Sequence, residues 1–288
     1  MVGKESFGER VFDKINIIFL IILSFICLYP IYYVAVASFS DGMKLLAHSG
    51  ILLKPLGFSL AAYKMVFMDP MIIKGYMNTM FVVIVGVSLN ILMTSLGAYV
   101  LSRKNTFFVK PLMKMVVFTM FFSGGLIPLF LTVRELGLFN NLFALILPNV
   151  IITYNLIIMR TAFMAVPESL EESARIDGAN DFTILFRVIL PLSKPTVAVM
   201  VLYYGVHHWN AWFHAMIFLR ERSLYPLQLI LREILIANTM DQMLSSSSAA
   251  DVESIGESIK YATIMVATAP ILLLYPFLQK HFVKGVMI

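Results

Sequence analysis

A cluster of aromatic, histidine and asparagine side chains lies inside a long apolar block of the sequence. Its members are Tyr203, Tyr204, His207, His208, Trp209, Asn210, Trp212 and His214. Aromatic rings can pack against the C–H faces of sugar rings, and histidine or asparagine can hydrogen-bond to sugar hydroxyls. We therefore predict a solute pathway suited to carbohydrate, with the first seven of these residues as its contacts.

The same residue types allow other interpretations. An aromatic belt at a membrane surface, combined with hydrogen bonds between helices, would also use them. His207 and His214 are one heptad apart and share a helical face, but no third ligand follows at a spacing suited to a metal ion. An intramembrane enzyme with His207 or His208 as its base lacks an obvious Ser or Cys nucleophile. We expect neither a catalytic residue nor a metal site.

The sequence also indicates where energy for transport would come from. It contains no G-x-x-x-x-G-K-[ST] phosphate loop, so the chain does not bind ATP by that route. No Asp, Glu, Lys or Arg lies well inside an apolar block, whereas ion-coupled carriers commonly place such residues at mid-membrane. We therefore expect no cofactor on this chain and an energy source on a partner.

The composition is that of a membrane protein. Hydrophobic residues make up 59% of the 288 positions and charged residues 14%, whereas soluble domains carry about a quarter charged residues. A helix that crosses a bilayer needs roughly 20 apolar residues. We predict an all-α polytopic protein in a lipid bilayer, with six spans at Ile15–Phe39, Tyr76–Leu101, Leu112–Val133, Leu142–Ala165, Pro195–Leu219 and Tyr261–Leu278. The net charge of +5 is modest, and much of the Lys and Arg lies beside these apolar blocks, so nucleic-acid binding is not indicated.

The spans form one predicted transmembrane domain over residues 1–288. Its long connections are two outer loops at 40–75 and 220–260 and an inner loop at 166–194. An even number of spans places both termini on one side, and the basic connection at 102–114 favours the cytoplasm for that side. We expect a retained first span, because no small-residue cleavage site follows it, and a flexible segment at the run Ser245–Ser248.

The inner loop at 166–194 carries several local signals. Pro167 suits the first position of a helix, and the acidic residues after it complement the positive helix start. Gly178 can take the left-handed conformation that ends a helix, and Asn180 or Asp181 can cap a second, amphipathic one. The apolar face of that second helix would comprise Phe182, Leu185, Phe186 and Ile189. Such a loop can lie on lipid headgroups or dock on a soluble protein, and its residues alone leave both open.

The run from Glu172 to Ala179, followed by Leu190-Pro191, closely resembles the EAA loop of binding-protein-dependent ABC importer permeases. The family pattern is Glu-Ala-Ala, three residues, Gly, and a hydrophobic stretch that ends in Leu-Pro. This chain departs from it once, with Ser173 in place of the first Ala.

The Asp-Gly-Ala form of the loop and the later Trp209-Asn210 pair are similar to the sugar-importer branch, the maltose-type permeases. The narrower likeness is to permeases for lipo-oligosaccharide, polygalacturonate or alginate. The resemblance implies a type I ABC importer permease fold and import of a sugar or oligosaccharide. An amino acid, a peptide or an inorganic ion is the alternative cargo.

The resemblance also implies a coupling role for the loop, which would dock on a cytoplasmic ATPase. Glu172 would hold the helix or contact the ATPase, Ala174 would permit close approach, and Gly178 would make the turn. The full set of implied coupling residues is Glu171, Glu172, Ser173, Ala174, Asp177, Gly178 and Ala179. The implied partners are a second homologous permease, two ATP-binding cassette subunits that bind ATP and Mg, and an extracellular or periplasmic solute-binding protein. The implied location is the bacterial plasma membrane.

Overall fold

The computed structural model describes residues 7–103, 107–244 and 257–273, and these ranges are helical with short connections. The first helices are α1 (Phe7–Ser38), α2 (Gly42–Leu46), α3 (Ala61–Met68), α4 (Pro70–Ser102), α5 (Val109–Phe121) and α6 (Leu126–Glu135). Two 3₁₀ turns, Leu142–Leu145 and Leu147–Asn149, precede α7 (Thr153–Met164) and α8 (Glu168–Ile176). In the described ranges the one β-type pairing is an isolated bridge between Ser40 and Phe58.

The second half of the chain continues with α9 (Asp181–Ile184), a π-helical turn (Leu185–Ile189) and α10 (Leu190–Leu192), which follow one another without a break. Next come α11 (Lys194–Trp209), α12 (Phe213–Phe218), a 3₁₀ turn (Arg222–Leu224) and α13 (Leu227–Leu244). Residues 257–273 are helical as well. The chain divides into two compact units, residues 1–69 with 234–268 and residues 70–233 with 269–288.

The first unit packs around the end of α1. The most apolar 18-residue stretch of α1 has no buried residue, so most of this helix is available to lipid or to another chain. Its last turn contributes Val36 and Ala37 to a small core with Leu45 and Leu52. The Ser40 hydroxyl accepts the backbone N–H of Leu56 at 3.1 Å, which fixes the segment that follows α1.

The second unit is built on α4, α7 and α11. One apolar core joins these helices to the 166–194 loop through Leu156, Met159, Phe163, Ile184 and Met200, all buried. A second core surrounds α12 and includes Val82, Leu145, Phe218 and Leu229. The long helix α4 contributes to both cores, so it is the element against which the rest of this unit packs.

The described residues contain two helices long enough to span a membrane and three bent helix pairs, which is at most five of the six predicted spans. Among the described residues, α1 and α4 are long and apolar enough to cross a membrane alone. Three bent pairs qualify when each pair counts as one span: α5 with α6 at 114°, Leu142–Asn149 with α7 at 51°, and Asp181–Leu192 with α11 at 88°.

The spans predicted at Leu112–Val133, Leu142–Ala165 and Pro195–Leu219 are therefore not single straight helices. The first breaks before α6, where Gly125 has φ +88°, a conformation that favours glycine. The second begins as 3₁₀ turns around Pro148, and the third is interrupted between α11 and α12. Apolar composition predicts membrane insertion but does not fix the course of the backbone.

The predicted outer loops and the sixth span can also be compared with the helices of the structure. The predicted outer loop 40–75 contains α2, α3 and the first residues of α4, and the loop 220–260 contains the whole of α13. The predicted sixth span, Tyr261–Leu278, is helical as far as residue 273, and its remainder lies outside the described residues. The segment Ser245–Ser248, for which flexibility is predicted, also lies outside them.

Candidate functional sites: the 166–194 loop and the α7–α11 groove

Helix α8 ends as its sequence predicts. Gly178 has φ +81°, and its N–H donates to the Arg175 carbonyl at 3.0 Å while the Ala179 N–H donates to the Ala174 carbonyl at 2.9 Å. This pair of bonds is the Schellman motif, in which the left-handed residue is usually glycine because it has no Cβ. Pro167 lies immediately before the helix, at the N-cap position.

The predicted coupling residues divide between two faces of α8. Glu171 is buried, and Ala174 and Ala179 are half-buried against the core of α4, α7 and α11. The others, Glu172, Ser173, Asp177 and Gly178, are exposed. Ile176 is exposed by 86% on the outward side of α8, so the outward surface combines acidic groups with one large apolar side chain.

The inward face of α8 is anchored by an ion pair. The Arg103 Nη1 atom lies 2.6 Å from the Glu171 Oε1 atom. Arg103 directly follows α4, and its guanidinium lies 4.8 Å from the centre of the Tyr99 ring, a cation–π contact. Sequence reasoning missed Arg103, because nothing local to residues 166–194 identifies a partner at the end of α4.

The helix after Gly178 begins at a cap and an exposed ion pair. The Asn180 side chain accepts the Thr183 backbone N–H at 2.8 Å, as a cap residue does. Asp181 pairs instead with Arg175. The hydrogen bond to Asp181, together with its negative charge, raises the pKa of the Arg175 guanidinium above its ordinary value.

The predicted apolar face of this second helix is only partly buried within the chain. Leu185 and Ile189 are buried, but Phe182 and Phe186 are exposed by 65% and 44%. Ile184 is buried in their place. The π-helical turn at Leu185–Ile189 changes the number of residues per turn, so a regular 3.6-residue period does not describe this face.

Two of the predicted pathway residues lie in a buried polar network. The His208 Nε2 atom is 2.7 Å from the Asn90 Oδ1 atom. The Asn90 Nδ2 group donates to the carbonyls of Asn149 and Val150, both at 2.8 Å. Because the Asn90 amide nitrogen is used in this way, its oxygen faces His208, and His208 therefore carries its proton on Nε2.

Tyr204 completes the network one helical turn earlier on α11. Its hydroxyl lies 2.7 Å from the Thr94 Oγ1 atom and accepts the Ile152 backbone N–H at 3.2 Å. The network therefore supplies partners to the backbone between the 3₁₀ turns and α7, where the helix is broken. Membrane helices tolerate such breaks when neighbouring side chains satisfy the freed groups.

Trp209 and Trp212 are also engaged within the protein. Trp209 is 5% exposed, with its ring against that of Tyr76 at 6.2 Å between centres. The Arg232 guanidinium lies 4.1 Å from the centre of the Trp212 ring. Tyr204, His208 and Trp209 are thus buried within the chain, whereas Trp212 is partly exposed.

The other predicted pathway residues line two cavities beside α11, the first against the 3₁₀ turns and α12 and the second against α7. His207 and Asn210 line a cavity of about 290 Å³. Tyr203 and His207 line a second one of about 420 Å³, so His207 borders both. The described lining of the first cavity contains no acidic residue. Its further lining residues include Leu145, Asn149, Phe213 and His214.

None of these four further lining residues was among the predicted pathway contacts, and two of them are polar, His214 and Asn149. His214 was recognised as sharing a face with His207, and that shared face is the signal that could have placed both in one cavity. Asn149 lies in a 3₁₀ turn from a different span, and its sequence gives no such signal. In the part of the chain that the structure describes, no group of three His, Cys, Asp or Glu residues could hold a metal ion.

Comparison with known proteins assigns the chain to a family. The family described as "Binding-protein-dependent transport system inner membrane component" matches residues 4–288. The chain belongs to this family. The predicted resemblance is thus confirmed, and so is the expectation of a transport subunit with no catalytic activity of its own.

Individual members of the family are similar over nearly their whole length. The polygalacturonan/rhamnogalacturonan transport system permease protein YtcP of Bacillus subtilis is 42% identical, over 97% of this chain and 98% of that protein. Protein LplC of the same organism is 39% identical over 97% and 94%.

A solved structure shows the fold of the family. It is a chain from the crystal structure of a bacterial ABC transporter involved in the import of the acidic polysaccharide alginate. It matches with a TM-score of 0.86 and 32% identity, over 98% of this chain and all of that one. The predicted ABC importer permease fold is confirmed.

Proposed function

We propose that this chain is a membrane-spanning permease subunit of an ATP-driven bacterial importer for oligosaccharides. The observation that carries the proposal is the near full-length similarity to a permease named for polygalacturonan and rhamnogalacturonan transport. The solved transporter named for alginate import supports the same class of solute. Both named cargoes are polysaccharides, which favours a saccharide over an amino acid or peptide.

The proposed partners are those that membership of this family implies. A single permease is too small to enclose a pathway, so in the proposal a second homologous permease completes it. Two ATPase subunits bind ATP and Mg²⁺ and dock from the cytoplasm, and a solute-binding protein delivers the cargo from outside. This arrangement puts both termini and the 166–194 loop in the cytoplasm of the host.

The outward face of α8 is the proposed docking surface for an ATPase subunit. It presents Glu172, Ser173 and Asp177 around the exposed Ile176. A large apolar side chain surrounded by polar groups is typical of a protein contact. The Schellman turn at Gly178 fixes the direction in which this surface points.

The cavities along α7 and α11 are the proposed contribution of this chain to the solute path. Their volumes, about 290 and 420 Å³, compare with the ~300–1,000 Å³ of small-molecule sites. His207, His214 and Asn210 offer hydrogen-bonding groups, and Tyr203 and Phe213 offer aromatic faces. The lack of acidic groups among the described lining residues makes the first cavity compatible with a uronic acid as well as a neutral sugar.

The test of the proposed function is ATP hydrolysis by the complete assembly in lipid, with its solute-binding protein and a panel of oligosaccharides. Galacturonate and alginate oligomers would be compared with neutral maltooligosaccharides and with amino acids and short peptides. Stimulation by one class of saccharide is the expected result. Stimulation by an amino acid or peptide alone, or by no solute, would overturn the proposal.

A substitution in the cavity should weaken solute transport selectively. His207→Ala removes a hydrogen-bonding ring that borders both cavities, and we expect the KM for uptake to rise about 10-fold, as for the loss of one or two good contacts. Basal ATP hydrolysis should not change. Uptake kinetics in proteoliposomes measure both quantities.

The matched control is Val201→Ala, which shortens an exposed side chain on the same helix outside the cavities. We expect this variant to keep the KM of the unmodified protein. An unchanged KM in His207→Ala would remove His207 from the path.

A further inference from the structure

Helix α8 is held to the protein in an unusual way. All of its residues are described, and Glu171 is its one buried side chain. Leu170 and Ile176 are exposed by 43% and 86%. Short amphipathic helices are normally anchored by an apolar face, whereas α8 is anchored by a carboxylate that pairs with Arg103.

The ion pair is shielded from water and supported on the α4 side. The Arg103 and Glu171 side chains are only 16% and 10% exposed. Arg103 rests on the Tyr99 ring, and the Arg160 Nε group donates to the Leu101 carbonyl at 2.8 Å, which ties the end of α4 to α7. The Arg103 Nη2 group also donates to the Phe163 carbonyl of α7 at 3.5 Å. The guanidinium therefore contacts both α4 and α7, and α8 is paired with it.

A second ion pair on the same loop provides a comparison. Arg175 and Asp181 also pair, but their side chains are 52% and 61% exposed. Exposed pairs contribute little because water and salt screen them, whereas breaking a buried pair leaves an uncompensated charge. The two pairs should therefore respond very differently to substitution.

We propose that the Arg103–Glu171 ion pair is the mechanical link through which α8 moves α4 during transport. The inference rests on the proposed function, in which α8 docks on an ATPase subunit. An ion pair with fixed geometry resists both separation and sliding, whereas a small apolar contact slides easily. Displacement of α8 is thereby transmitted to α4 in either direction.

The path from α4 to the solute cavity is continuous. Asn90 on α4 donates to the backbone carbonyls of Asn149 and Val150. Asn149 lines the 290 Å³ cavity. Movement of α4 would therefore shift one wall of that cavity directly, through a pair of buried hydrogen bonds.

The test compares uptake with ATP hydrolysis in the complete assembly in proteoliposomes. For Glu171→Gln and for Arg103→Gln we expect the amount of solute imported per ATP hydrolysed to fall about 10-fold, since each leaves a buried charge unpaired. The charge-reversed double variant Arg103→Glu with Glu171→Arg should recover to within about threefold of the unmodified ratio, because the pair is restored. Asp181→Asn, which breaks the exposed pair, should keep that ratio.

A chemical link separates the mechanical role from a merely structural one. In a Cys27→Ser background, the only native cysteine is absent. Arg103→Cys with Glu171→Cys should import poorly until a short bis-methanethiosulfonate reagent joins the two cysteines, each thiolate displacing methanesulfinate to form a disulfide. Reduction of these disulfides should reverse the recovery. Failure of the reagent to restore import per ATP, in protein that is cross-linked and assembled, would overturn the proposal.

An error in the proposed function and an error in the proposed ion-pair link would give different experimental results. If the proposed function is wrong, the unmodified assembly shows no ATP hydrolysis that responds to a saccharide. If only the link is wrong, the unmodified assembly responds normally, and Glu171→Gln keeps the same import per ATP.

Discussion

Replacement of Gly178 by aspartate is expected to abolish solute uptake while the chain remains inserted and assembled. A Cβ atom at residue 178 meets nothing within 4 Å, so aspartate fits sterically. The substitution costs only the backbone strain of a non-glycine residue at φ +81°, about 1–2 kcal/mol, which is less than the stability of a typical fold. The new carboxylate, however, stands beside Asp177 at the end of the proposed docking surface, where added negative charge and a shifted turn would disturb the ATPase contact.

Uptake and assembly are measured separately for this variant. We expect uptake to fall at least about 30-fold, or roughly 2 kcal/mol of coupling, with normal amounts of chain in the membrane and with ATPase subunits still co-purifying. Gly178→Asn is the matched control, because asparagine visits the left-handed region more readily than most residues and adds no charge. Normal uptake in Gly178→Asp would defeat the coupling role of this turn.

Replacement of Gly86 by alanine should remove most of the folded protein. The new Cβ would lie 2.5 Å from the His208 Nε2 atom and 2.8 Å from its Cδ2 atom. The imidazole would have to move and lose its bond to Asn90. Overpacking together with an orphaned buried polar group costs about 2–5 kcal/mol, a large part of the stability of most proteins.

Gly205→Ala is the control, since Gly205 lies within α11 with nothing within 4 Å of a Cβ. Alanine favours the helix there by up to about 1 kcal/mol, so this variant should be as stable as the original or more so. Thermal unfolding of the purified protein, followed by loss of the monodisperse peak, compares the two. Equal melting temperatures would contradict the packing described for His208.

The 166–194 loop was largely predictable because its signals are local. Gly178 and Asn180 each act within a few residues, so the end of α8 and the start of the next helix follow from the sequence. The inward anchor did not follow, because Arg103 belongs to another helix. The π-helical turn also could not be foreseen, nor could the exposure of Phe182 and Phe186.

In the pathway cluster, helical periodicity could have separated the residues that line the cavities from those that are buried. The spacing of residues 203, 207, 210 and 214 would place them on one face of a regular helix. The structure places all four at the cavities, although α11 ends at Trp209. Tyr204 and His208 are one turn apart on another side and lie in the buried network. Residue type alone did not separate the two sets, because histidine and tyrosine serve either role.

The broken spans were not predictable from apolar composition. Whether a helix can be interrupted depends on acceptors and donors supplied by other helices, here Asn90 and Tyr204. Neither side chain is near the break in sequence. The sequence shows that the segment belongs in the bilayer, and the neighbours determine its shape.

The bond from the Ile152 N–H to the Tyr204 hydroxyl also has a consequence for biosynthesis. The ribosome makes residue 152 long before residue 204, so the broken span enters the membrane with one backbone donor still waiting for its acceptor. Asn90, made earlier, is already present to hold the carbonyls of Asn149 and Val150. The nascent chain therefore completes this region in two stages, first through Asn90 and later, once α11 has been made, through Tyr204.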